Sequence, residues 1–148
     1  MSDVPAAPSG RIDSVGVDVV SISGFAAQLD QPGTRFTSAF TPAEQRAAAA
    51  DGDGRRAERL AARWAAKEAV VKAWAGTRPG LPTELPDPDL RQIEVRADRW
   101  GRPLIRLSGD VARCLSAYDV VVSLTHDGDT AAAVALLRRA PATERSRR

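Results

Sequence analysis

Wound at about 100° per residue, the stretch from Arg56 to Ala75 is apolar on two sides. Leu60, Trp64, Val71 and Trp74 form one stripe, while Ala62, Ala66, Ala69 and Ala73 line the other. A helix with two apolar sides is buried by partners on both, so the sequence predicts a central helix with the rest of the chain wrapped around it. Gly76 marks its end.

The flanking segments supply the wrapping. Ile12–Val20 is β-branched and reads as a strand, with Val15, Val17 and Val19 on one face and Gly16, Asp18 and Val20 on the other. Thr41-Pro42-Ala43-Glu44 starts a second helix: threonine at the cap, proline at the first position, glutamate closing a capping box. That helix should stop near Asp51-Gly52-Asp53-Gly54. Residues 77–89 read as a loop. Ile93–Ala97 and Leu104–Leu107 read as strands joined through a turn at Gly101, Ser108–Tyr118 as a helix, and Val120–Thr125 and Ala131–Leu137 as two further strands. The expected class is α+β, a small antiparallel or mixed sheet around one long helix. We expect a single domain over residues 11–140, with flexible tails at 1–10 and 141–148.

Composition narrows the function classes. No apolar run approaches the roughly 20 residues that span a bilayer, and the first ten residues lack the pattern of a signal peptide. The single cysteine, Cys114, allows no internal disulfide and fits a reducing cytoplasm. A net charge of +2 is too small to argue for nucleic acid. Six basic residues, Arg55, Arg56, Arg59, Arg63, Lys67 and Lys72, nevertheless share one helical stretch with only Glu58 and Glu68. Such a surface draws an anion, unless it is simply a solvated helix face. Of the 21 basic residues only two are lysines, and both lie in this stretch. Two positions kept as lysine in an arginine-rich chain point to a need for a compact ammonium rather than a planar fork.

Two carboxylates stand in unusual places. Asp18 interrupts the apolar run Gly16-Val17-Asp18-Val19-Val20, and a carboxylate buried there needs a partner, either an arginine or a metal ion. Glu68 lies in Ala65-Ala66-Lys67-Glu68-Ala69-Val70-Val71, one turn before Lys72. It is either half of an ordinary i,i+4 pair or a functional group. With no Cys or His cluster, paired carboxylates point to a hard cation such as magnesium, held by one or two carboxylates plus phosphate oxygens. Arg63, Lys67 and Lys72 would suit the phosphates. No Walker loop or Gly-x-Gly-x-x-Gly is present. His126 ends a strand at a turn, a place where functional groups occur but where a lone histidine is usually inert. A non-catalytic anion-binding module and a metal-dependent pyrophosphate hydrolase both remain open on these residues alone.

The motifs resemble one family. Gly16-Val17-Asp18-Val19-Val20-Ser21-Ile22 looks like the N-terminal signature of holo-acyl-carrier-protein synthases, the short trimeric bacterial type of 4′-phosphopantetheinyl transferase. Arg63-Trp64-Ala65-Ala66-Lys67-Glu68-Ala69-Val70-Val71-Lys72-Ala73 is similar to that family's central motif. Phe40-Thr41-Pro42 with Glu44, Gly101-Arg102-Pro103 and Ser123-Leu124-Thr125-His126 match further landmarks in the same order.

The resemblance implies the phosphopantetheinyl transferase fold. It also implies magnesium on Asp18 and Glu68, and coenzyme A held near Arg63, Lys67, Lys72, Arg102, Thr125 and His126. The implied reaction moves phosphopantetheine from coenzyme A to a serine of acyl carrier protein, in support of fatty acid biosynthesis. Glu68, or a water that it orients, would take the serine proton, while Lys72 balances charge on the departing adenosine 3′,5′-bisphosphate. A homotrimer with shared sites is implied as well, Arg102 and His126 then serving a neighbouring subunit.

This chain departs from the pattern in two places. Ser21, Ser23 and Gly24 stand where many members carry a basic residue that grips the carrier, which leaves docking to other groups, Arg35 among them, or to an unusual carrier. Val121 stands where many members carry a histidine.

Overall fold

In the computed structural model, which describes residues 10–140 apart from 51 and 53, the long helix is the axis of the architecture. The elements run β1 (Ile12–Ser21), α1 (Ile22–Leu29), α2 (Pro42–Ala49), α3 (Arg56–Gly76), β2 (Ile93–Ala97), β3 (Pro103–Leu107), α4 (Gly109–Cys114), β4 (Tyr118–Asp127) and β5 (Thr130–Arg139). Single 3₁₀ turns cover Phe36–Ala39 and Leu90–Gln92. A three-stranded antiparallel sheet has the order β1-β5-β4, and β2 with β3 forms a separate hairpin. The α+β class and the central helix are as the sequence predicts. The flexible tails expected at residues 1–10 and 141–148 lie outside the described residues, except for Gly10. The second helix ends at Ala49, and Asp51 and Asp53 of the expected stop lie outside them too. No helix among the described residues is long and apolar enough to cross a membrane.

Helix α3 is covered on both sides, as its sequence demands. One side packs on the inner face of the sheet through Ala69, Ala73, Ala133, Ala135 and Leu137. Small residues on both surfaces let helix and strands approach closely. The closest approach is at Gly16 of β1, where a β-carbon would overlap the Ala69 carbonyl and lie 2.6 Å from the Ala73 amide nitrogen. The other cover is aromatic: Phe25 of α1, Phe36 and Phe40 surround Trp64 of α3, with ring centroids 4.8–6.4 Å from Trp64.

Two features differ from the sequence reading. Helix α1 is not among the expected elements, although Ile22, Phe25, Ala26 and Leu29 fall at helical spacing; its cap is completed from the far end of the chain. Ser21 Oγ accepts from the Gly24 amide at 3.1 Å, while Asp129 in the β4–β5 turn accepts from the Ser23 amide at 2.7 Å and from the hydroxyls of Ser21 and Ser23 at 2.9 and 2.7 Å. The Asp129 carbonyl accepts from the Ile22 amide at 2.8 Å. Helix α4 is shorter than expected, because Tyr118 already belongs to β4.

The outer face of the sheet is apolar and uncovered in the single chain. Its cross-strand rows are Val15–Leu136–Val121, Val17–Val134–Ser123 and Val19–Ala132–Thr125. Val15, Val17 and Val19 remain 56%, 50% and 64% exposed. A contiguous valine face of this kind marks an interaction surface.

Candidate active site

The crossing of β1 over α3 brings Asp18 to Glu68 and Lys72. Alternation along β1 turns Asp18 to the helix side, opposite Ala133. Lys72 reaches across from α3 and donates to Asp18 Oδ1 at 2.8 Å and to the Val17 carbonyl at 3.1 Å. The i,i+4 pair between Glu68 and Lys72, open from the sequence, is not formed; the lysine serves the strand instead. Glu68 accepts no hydrogen bond among the described residues. Burial pushes its carboxyl above the usual range, the Asp18 charge pushes the same way, and Lys72 opposes both. Asp18 and Glu68 therefore share one electrostatic environment, half sheltered from solvent.

Such a pair fits a divalent cation. Two carboxylates near enough for the charge of one to raise the proton affinity of the other offer hard oxygen ligands, and a positive ion would relieve the repulsion. Among the described residues no cluster of three or more His, Cys, Asp or Glu side chains could hold a metal. The arrangement suits an ion that takes few protein ligands and completes its shell from substrate and water.

Arg63 lies one turn and a half before Glu68. Its Nη1 donates to the Arg59 carbonyl at 3.1 Å, but its Nε is buried without a partner among the described residues. Burial lowers its pKa, partly countered by Glu44. Its partners, Arg59 and Glu44, lie on the α2 side of α3, so Arg63 is turned away from Glu68.

The other expected site residues are elsewhere. Lys67 differs most from expectation. Although next to Glu68 in sequence, it is turned into the protein, fully buried, with its ammonium closed by Glu44 at 2.9 Å and by the carbonyls of Leu90 and Ile93 at 2.8 and 2.7 Å. In this geometry no donor is left for a phosphate. The sequence held a signal for this. Lys67 falls seven residues after Leu60 and seven before Trp74, in the middle of the inward stripe.

His126 sits at the end of β4 beside Glu58 (3.6 Å) and Arg55 (3.5 Å), both at the start of α3. Ten helical residues, about 15 Å, separate Glu58 from Glu68. Thr125 is exposed on the outer face of the sheet. Arg102 is in the β2–β3 turn, held by Asp98 at 2.6 Å and stacked with Arg99 on the exposed Trp100 ring, at 4.7 and 3.7 Å from its centroid. Within one chain the structure unites Asp18, Glu68 and Lys72, and leaves Arg102, Thr125 and His126 apart from them.

Comparison with known proteins gives the family. The family model of the 4′-phosphopantetheinyl transferase superfamily matches residues 14–135. The chain is 56% identical over 126 residues to holo-[acyl-carrier-protein] synthases of Mycobacterium ulcerans and Mycobacterium tuberculosis, covering 85% of this chain and 96% of theirs. Among solved structures it is similar to a Chronobacterium ammoniagenes ACPS–coenzyme A complex, with TM-score 0.80 and 45% identity over 86% of this chain and 98% of that one. The acyl carrier protein synthase of Mycobacterium tuberculosis superposes with TM-score 0.72 at 48% identity, over 88% of this chain and 100% of the other. The two match in fold and in sequence over nearly the whole described length, and on that ground the chain belongs to the 4′-phosphopantetheinyl transferase superfamily.

Proposed function

We propose that the protein is a holo-acyl-carrier-protein synthase. It transfers 4′-phosphopantetheine from coenzyme A to a serine of apo acyl carrier protein, releasing adenosine 3′,5′-bisphosphate, in the cytoplasm and in support of fatty acid biosynthesis. The working unit is residues 11–140. The observation that carries this reading is the coupling of Asp18, Glu68 and Lys72 at the β1–α3 crossing. The relatives' name and the coenzyme A complex of a similar structure support the substrate pair.

Magnesium held by Asp18 and Glu68 would supply positive charge for the diphosphate. The chain's own groups do the remaining work. Glu68, its proton affinity raised by burial and by Asp18, accepts the proton of the carrier serine as its oxygen bonds to the phosphorus that bears pantetheine. The bond from that phosphorus to the bridging oxygen breaks, and the electron pair leaves with adenosine 3′,5′-bisphosphate. Lys72 places an ammonium beside the reacting centre to balance that charge, and the guanidinium charge of Arg63 adds to the positive field that favours the phosphates. Weighing apo carrier after incubation with coenzyme A and magnesium tests the reading. A carrier of unchanged mass would overturn it.

Lys72→Arg is expected to lower kcat about tenfold or more, although the charge is kept. The ammonium bonds Asp18 and a strand carbonyl from one compact head, which a planar guanidinium cannot copy without moving β1. Wild-type kinetics in this variant would remove Lys72 from the mechanism.

The valine face of the sheet supports a homotrimer, in which Thr125 on that face, with His126 and Arg102, completes a neighbour's site. Val17→Asp with Val19→Asp is expected to yield monomers by light scattering and to cost most of the activity. Mixed assemblies of Asp18→Ala and Arg102→Ala chains should recover part of it, because some sites then hold two intact contributions. Active monomers would overturn this assembly.

A further inference from the structure

We infer that the buried Glu44–Lys67 ion pair is the positioning device of the active site, with Lys67 acting on the reaction through structure and not as a phosphate ligand. The inference rests on the transferase reading above. Lys67 is 0% exposed and Glu44 1%. The three donors of the ammonium are all used, on Glu44 Oε2 (2.9 Å) and on the carbonyls of Leu90 (2.8 Å) and Ile93 (2.7 Å). Both carboxylate oxygens of Glu44 are engaged as well. Its Oε2 also accepts from the Thr41 amide at 2.8 Å, closing the capping box, and its Oε1 accepts from the Val95 amide at 2.8 Å. Thr41 Oγ1 donates in turn to Glu94 Oε1 at 2.8 Å. One ion pair thereby ties together α2, α3, the Leu90–Gln92 turn and β2.

This network has two consequences for the site. Adjacent helical residues point about 100° apart. Fixing Lys67 toward α2 and β2 fixes the rotation of α3, so that Glu68 faces Asp18. The same bonds root the β2–β3 hairpin, whose far turn carries Arg102, on the helix that carries Glu68. A buried charge pair adds little net stability over an apolar pair, but breaking it leaves an uncompensated charge in the core. Its value here is a unique arrangement of four segments. The requirement for three convergent donors also explains why this position is one of only two lysines in the chain.

The test compares wild type, Glu44→Asp, Glu44→Gln, Lys67→Met and the double variant Glu44→Gln/Lys67→Met. Chemical denaturation gives the folded fraction, and kcat and the KM for coenzyme A are expressed per folded molecule. We expect Glu44→Gln and Lys67→Met each to lower kcat about tenfold while changing the KM for coenzyme A less than threefold. The double variant should be no slower than the worse single one. Glu44→Asp, which keeps both charges, should remain folded and lose kcat severalfold, so it decides the matter if the others do not fold.

A tenfold rise in KM confined to Lys67→Met, with Glu44 variants silent, would make Lys67 a phosphate ligand and overturn the inference. Lower stability with full kcat in the Glu44 variants would overturn it too. Failure of wild type to load the carrier would instead sink the transferase reading, whatever the coupling between positions 44 and 67.

Discussion

Alanine at Asp18 or at Glu68 is expected to lower phosphopantetheine transfer roughly a thousandfold or more, while the chain stays folded. The size of the effect follows from what each carboxylate does. Removing one oriented charge from a preorganised site commonly costs two to three powers of ten, and here each is half of the proposed cation site, with Glu68 also taking the serine proton. The fold should survive. The Lys72–Asp18 bridge involves a half-exposed lysine side chain, and pairs of that kind add about 0–1 kcal/mol to stability.

Glu68→Gln should go further and stabilise the protein in the presence of a chelator, because it removes a charge that burial and Asp18 both oppose. Adding magnesium should raise the melting temperature of wild type and leave that of either alanine variant unchanged. Carrier mass, circular dichroism and melting curves read all of this. Transfer within tenfold of wild type in either alanine variant would mean that the site lies elsewhere.

Gly16→Ala is expected to destabilise the protein by about 3 kcal/mol, near the upper end of what overpacking a core costs. The new methyl would press on backbone, not on a flexible side chain, since the Ala69 carbonyl and the Ala73 amide line the space. Neither can move without unwinding α3, so β1 must lift. Lifting β1 also carries Asp18 away from Glu68, two residues being the only separation between Gly16 and Asp18. Loss of stability and loss of transfer should therefore appear together, by urea denaturation and by carrier mass. A variant with an unchanged denaturation midpoint would show that strand and helix do not cross this closely.

Much of this was written in local patterns. The double-sided apolar spacing of α3 announced a central helix, the capping box at Thr41 announced α2, and the isolated carboxylate at Asp18 announced the need for a partner, which Lys72 supplies. What local pattern could not supply was pairing across long separations. Helix α1 depends on Asp129, more than a hundred residues away, for the anchoring of its first turn. Lys67 shares a motif with Glu68 and Lys72, yet its position on the helix cylinder turns it toward Glu44, 23 residues earlier. Glu44 read as a capping residue and is one, but nothing near it in sequence tells of a second oxygen bonded to Val95. Arg102, Thr125 and His126 stand apart from the carboxylates within one chain, and a motif order, which carries no distances, could not say so.

The Asp129 clasp makes the entry of α1 and the β4–β5 hairpin loop a single mechanical unit. Any ligand or subunit that displaces the loop carrying His126 must also tilt the first turn of α1, and pressure on that turn is transmitted back to the loop. With a carboxylate already seated there and glycine at position 24, that same turn presents little positive attraction of its own. An acidic visitor approaching it would be oriented by shape and by more distant arginines rather than by a charge at the point of landing.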